Sequence, residues 1–187
     1  MAGSGRGQPV GFVLLALGPI LAAAYAAVNH VAIRTAVQAQ IAGPEWEGGR
    51  VDADGMTAVG VDTWRLVWWT ALFVGVVAVA FVLIGVLLRR RGRGRTLLLV
   101  FSGVLIVPYA VGFLVALINP VKGLGGLYDV PDFVDGVPPW QPGTAFILLA
   151  AGLAQAVGLT MAAGAGRRQA AAGQEGTRST PSGSGRP

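Results

Sequence analysis

Residues 66–95 read LVWWTALFVGVVAVAFVLIGVLLRRRGRGR: 23 residues without an acidic or basic side chain, Leu66 to Leu88, run directly into five arginines within seven positions. As a helix, rising 1.5 Å per residue, the apolar part covers about 35 Å, enough to cross the roughly 30 Å hydrocarbon core of a bilayer with modest tilt. Backbone amides find no water there, so a helix, which bonds them internally, is the structure this pattern permits. Three further uncharged stretches of similar length flank it: Pro9 to Asn29, Thr96 to Ile118 and Thr144 to Gly164. The sequence therefore predicts an all-α integral membrane protein, a four-helix transmembrane bundle with spans 9–29, 66–88, 96–118 and 144–164 making one membrane domain, 9–164.

Composition agrees. The 187 residues are 53% hydrophobic and 12% charged, about half the charged fraction of an ordinary soluble domain. With no cysteine, disulfides, thiolate metal sites and cysteine nucleophiles are excluded. Thirteen of the 14 basic residues are arginine, Lys122 being the exception; this reflects the codon usage of a GC-rich, bacterial type of genome and carries no functional weight.

Charge is sorted along the chain. The N-terminal tail 1–8, the link 89–95 and the tail 165–187 hold ten basic residues and one acid, Glu175, whereas the segments 30–65 and 119–143 hold four basic residues and eight acids. By the positive-inside rule both termini and the link, with Arg89, Arg90, Arg91, Arg93 and Arg95 as topology determinants, are expected in the cytoplasm. The two longer segments become extracytoplasmic loops, and the membrane is expected to be the cell (plasma) membrane. Ala24-Tyr25-Ala26 resembles a signal-peptide cleavage site, but the apolar run is long for a signal peptide and only Arg6 precedes it, so the first span is expected to stay.

Local signals refine this picture. Pro19 and Pro108 lie within spans one and three, and each frees the carbonyl four residues earlier, Leu15 and Val104. Ile33, Val37 and Ile41 continue a helical period past the first span to about Ala42, where Gly43-Pro44 supplies a stop. The stretch from Glu45 to Gly60 reads as irregular, Asp62 as the N-cap of the second span, and Trp64, Trp68 and Trp69 as its interfacial entry. Ala26, Asn29 and Val31 recur as Ala116, Asn119 and Val121, a faint hint of a duplicated hairpin set against the plainer reading that membrane helices often end this way. The tail from Gly166 has no large apolar residue and is expected to be disordered.

Residues that might carry chemistry are few. Asp129, Asp132 and Asp135 recur every third residue, whereas calcium loops with strong signals place oxygens at every second residue around a glycine; no metal site is assigned. His30, the sole histidine, has no acid at a catalytic or metal-binding spacing. Gln155 is the one amide side chain deep in a span and is expected to bond across to another helix. Small residues at four-residue spacing, Gly18, Ala22 and Ala26 in span one and Ala150, Ala154, Gly158 and Ala162 in span four, mark expected helix-packing faces.

No catalytic residue and no cofactor is assigned, and the spans carry no Asp, Glu, Lys or Arg, the usual components of proton relays and ion-coupled transport. The expected role is that of a non-enzymatic accessory, scaffold or assembly protein acting through helix faces and outer loops. The alternative is a subunit of a small oligomeric transporter or channel. The lipid bilayer is one partner, and a membrane protein or further copies of the chain are the others expected. Nucleic acid is not, since a seven-residue arginine link pinned between two spans offers no surface to wrap a duplex.

Overall fold

The computed structural model describes residues 7–89 and 95–178. Arg6, Arg90, Arg91, Arg93, Arg186 and the last part of the tail lie outside the described residues, as do the side chains of Arg89 and Arg95. The helices are α1 (Gly7–Ala42), α2 (Ala58–Arg89), α3 (Arg95–Leu117), α4 (Pro120–Leu127), α5 (Pro131–Asp135) and α6 (Ala145–Arg178), with a 3₁₀ turn at Gln141–Thr144. The described residues contain no β-strand, only an isolated bridge between Val51 and Thr57. Four helices are long and apolar enough to span a membrane, over Val10–Ala42, Ala58–Leu87, Val100–Leu117 and Gln141–Gly164. The molecule is thus a multi-pass, all-helical membrane protein.

Helix α1 is the hub. It packs most extensively on α6 and α2, while α3 leans on α2 and α6 from one side. One stripe of α1 is buried, Gly11, Leu15, Gly18, Ala22, Tyr25 and Asn29, continuing as Ile33, Ala36, Val37 and Gln40 beyond the apolar span. Large side chains such as Val13, Ile20, Val76, Leu83, Val104, Val107 and Leu153 point outward. In water such a surface would drive aggregation; in a bilayer it is the solvent-facing surface.

The two long connections fold back over one end of the bundle as a cap. Pro120 and Pro131 occupy first-turn positions of α4 and α5, where a missing amide costs nothing. Phe133 of α5 is fully buried, and Gly136 lies so close to α1 that a Cβ there would overlap that of Ala39. The segment 45–57 is ordered by a side-chain turn: Asp52 Oδ1 accepts from the amides of Asp54 at 2.9 Å and Met56 at 2.8 Å, and Gly55 supplies a φ of +78°.

Several expectations need correction. Helix α2 starts at Ala58, not after Asp62, because the Thr57 hydroxyl accepts from the Gly60 amide at 3.4 Å and so takes the capping role; Asp62 lies inside the helix. Helix α6 runs to Arg178, past Gly166, from which composition predicts disorder. The segment 165–178 has no proline, and although Gly166, Gly173 and Gly176 weaken it, its Ala, Gln and Arg residues favour helix and propagate one already nucleated in the span. The likeness of the first and third span ends fails as well. Asn29 is a buried mid-helix residue, whereas Asn119 sits in left-handed conformation (φ 58°) as the N-cap of α4, since Pro120 stops α3.

Candidate functional site

Two polar rungs and a folded cap hold the bundle, and a lateral groove opens beside them. The inner rung begins with a proline. Pro19 cannot donate to the Leu15 carbonyl, which at mid-span has no water to turn to. The side-chain amide of Gln155 on α6 donates to that carbonyl at 2.9 Å and to Ala78 O of α2 at 3.3 Å, joining three helices through one side chain. Gly18 makes the approach possible: a Cβ there would overlap the Gln155 amide group. One turn further along α6, a Cβ on Gly158 would lie 2.8 Å from Gly11 O and 2.9 Å from Leu15 Cγ. Backbones meet here at glycine distance, the contact that dispersion forces in lipid reward.

The outer rung repeats the device at Asn29. Its Nδ2 donates to Tyr25 O at 2.9 Å, and its Oδ1 accepts from Gln141 Nε2 at 2.9 Å and from the Thr144 hydroxyl at 3.3 Å. The Thr144 hydroxyl also lies 2.8 Å from Gln141 O. Next to it, His30 stacks edge-on against Trp64, centroids 4.4 Å apart, and Trp64 tilts against Trp68 at 5.8 Å. Among the described residues, Gln141 Oε1, Gln155 Oε1, His30 Nδ1, Thr63 Oγ1 and the Tyr109 hydroxyl are buried polar atoms without a partner.

The cap is tied to the helices by hydrogen bonds of long sequence separation. Gln40 Oε1 accepts from Thr57 Oγ1 at 2.7 Å, Asp132 Oδ2 from the Glu45 amide at 3.3 Å, and Arg34 donates to Asp54 O at 3.3 Å. The Tyr128 hydroxyl donates to Asp62 Oδ2 at 2.5 Å, and that hydrogen bond, reinforced by the carboxylate's charge, raises the phenol above its usual range. Arg65 lies 3.8 Å from Asp62, both largely solvated, so the pair contributes little. The three aspartates at three-residue spacing do not converge: among the described residues no group of three potential ligands gathers. Asp132 instead packs over Gly43 at the end of α1. Phe133, between Asp132 and Asp135, is fully buried in the core.

The small-residue stripes fare unequally. Gly18, Ala22 and Ala26 are all buried, Ala22 within reach of Gly75 on α2. In α6, Ala150 is exposed, Ala154 and Ala162 are half-buried and Gly158 alone is buried, while the buried face follows Leu148, Ala151, Gln155 and Gly158. A strict four-residue spacing advances about 40° past a full turn at every step, so the stripe winds off the contact and crosses it only at Gly158. Sequence reading also missed Asn29, Gln141 and Thr144 as a set. Their pairing across 112 and 115 positions left no local signal.

The groove lies between α1 and α2, about 420 Å³, with walls almost wholly of carbon. Pro19, Ala22, Ala23 and Ala26 form its floor; Trp68, Leu72, Val76 and Val79 rise along one side. Fold and site together define a packed helical membrane protein with polar rungs, a structured cap and a lateral hydrocarbon groove. No family model matches the chain, and no curated protein or solved structure is found to be similar to it.

Proposed function

We propose that the protein is a non-enzymatic accessory or assembly protein of the cell membrane, with both termini cytoplasmic and the cap outside, that works by holding a partner through its helix faces and cap. The observation that carries this reading is the use made of polar groups in the spans. Gln155 is engaged on Leu15 and Ala78, and Asn29 on Gln141 and Thr144. Polar side chains spent on closing helix contacts favour a stable scaffold over a lined path for solutes. The acid-rich cap fits an extracytoplasmic face and the arginine link a cytoplasmic one.

The test is isolation of the full chain from its own membrane in mild detergent, followed by quantitative mass spectrometry. A membrane protein recovered in stoichiometric amount supports the reading. Recovery as a homogeneous homo-oligomer that passes ions or small solutes in proteoliposomes would overturn it in favour of a channel or transporter subunit.

A further inference from the structure

We infer that the groove between α1 and α2 is a binding site for one acyl chain of a phospholipid, from the leaflet on the cap side, with the lipid phosphate held by Arg65. The inference goes beyond the accessory role and does not rest on it. Its first support is length. The wall from Trp68 to Val79 covers 11 helical steps, about 16 Å, close to half the roughly 30 Å hydrocarbon core. On α1 the floor ends at Pro19, the middle of the charge-free run from Pro9 to Asn29. A docked transmembrane helix needs a face that runs through both leaflets; this trough stops at the middle, as one chain of one leaflet does.

Its second support is shape and chemistry. Small residues, Ala22, Ala23 and Ala26 of α1 with Ala71 and Gly75 of α2, leave the space, and the exposed Trp68, Leu72, Val76 and Val79 border it, so a flexible chain finds contacts below and beside it. An apolar space of this size stays dry, and left empty it forfeits the contacts of every atom that lines it. Hydrocarbon is the medium at that depth. Its third support is the mouth. Trp68, about half exposed, stands there with an indole N–H suited to the polar interface, and Arg65, one turn nearer the water on the same helix face, has a side chain 68% exposed. Its pairing with Asp62 at 3.8 Å is loose enough to yield to a phosphate, whose geometry a guanidinium fits in bidentate fashion.

The experiment uses the full chain in nanodiscs containing phosphatidylglycerol with a diazirine in one acyl chain. Illumination is expected to label peptides covering 19–26 and 68–79 in preference to the exposed face of α3. Ala23→Phe, placed on an exposed floor position, should remove that preference, and Val76→Trp serves as a second groove-filling variant should the first fold poorly. Val104→Phe on α3 should leave the pattern unchanged. Arg65→Gln should lower the lipid retained through detergent washing by about fivefold, the effect of one basic residue at a phosphate surface. Labelling spread evenly over α3 and the groove, or unchanged in both filled variants, overturns the proposal. So does a native mass showing a dimer that Ala23→Phe splits into monomers, because a second copy would then occupy the groove.

Discussion

At the scale of single residues, the inner rung couples two side chains that sequence separates by 136 positions, Pro19 and Gln155. Pro19 creates an unpaired carbonyl and Gln155 answers it, so their contributions should not add. Gln155→Leu is expected to destabilise the detergent-solubilised protein by about 1 kcal/mol or somewhat more, the cost of leaving one buried acceptor without a donor. In a Pro19→Ala background the restored amide serves Leu15 O itself, and the same change should cost clearly less. Equal costs in a double-mutant cycle followed by thermal unfolding would separate the two residues. Gly158→Ala should cost about 1–3 kcal/mol, because its Cβ meets the Gly11 carbonyl and Leu15. Gly103→Ala, which meets nothing within 4 Å, should be neutral or gain up to about 1 kcal/mol in helix propensity. In the cap, Tyr128 is raised by its hydrogen bond to Asp62 and then by that residue's charge. A tyrosine with a raised folded-state pKa lends stability that is whole below the ordinary value near 10 and fades as pH climbs through the raised one. Wild type and Tyr128→Phe are thus expected to differ in melting temperature at neutral pH and to converge in strong alkali; a constant gap would count against the hydrogen bond.

At the scale of elements, α1 and α6 run antiparallel with a register fixed by both rungs, Leu15 with Gln155 and Asn29 with Gln141. Cysteines replacing Asn29 and Thr144, whose side chains touch, should cross-link readily with a short thiol reagent. Cysteines at Ala22 and Ala154 should not, because the register puts Ala154 about six residues, or roughly 9 Å, from the level of Ala22. The reverse pattern would mean a different register. Much of this architecture was legible in the sequence. Four charge-free stretches can only be helices in lipid, the Ile33, Val37 and Ile41 period carried α1 past the span, and Gly43-Pro44 ended it. The freed carbonyl at Leu15 and the lone amide Gln155 were each visible too. That they meet was not, since nothing local to either residue records which helix lies opposite. The N-cap was misplaced because Asp62 and Thr57 both offer an oxygen, and the choice fell to the tertiary bond from Thr57 to Gln40. Along α6 the four-residue spacing is only nearly the helical repeat, so the stripe meets the buried face at Gly158 while Ala154 and Ala162 lie at its edge.

At the scale of the whole molecule, orientation governs every external contact. The charge asymmetry predicts that a cysteine at Gly49 is labelled by an impermeant thiol reagent from outside intact cells, with no native thiol to compete. It also predicts that a fusion after Pro187 reports from the cytoplasm. Labelling of Gly49→Cys only after permeabilisation would invert the assignment. Replacing Arg89, Arg90 and Arg91 by Ala should scramble insertion before it alters any other property. Helix α1 adds a mechanical consequence. Its 36 residues form one rod about 54 Å long, anchored by Gln40 to Thr57 in the cap and by Leu15 to Gln155 at mid-span. A tilt of about 5° about the Asn29 rung would move the Gly7 end, 22 residues or about 33 Å away, by about 3 Å, roughly half a helical turn. In its geometry α1 is a lever arm, with the Asn29 rung lying between the Gln40 and Leu15 contacts.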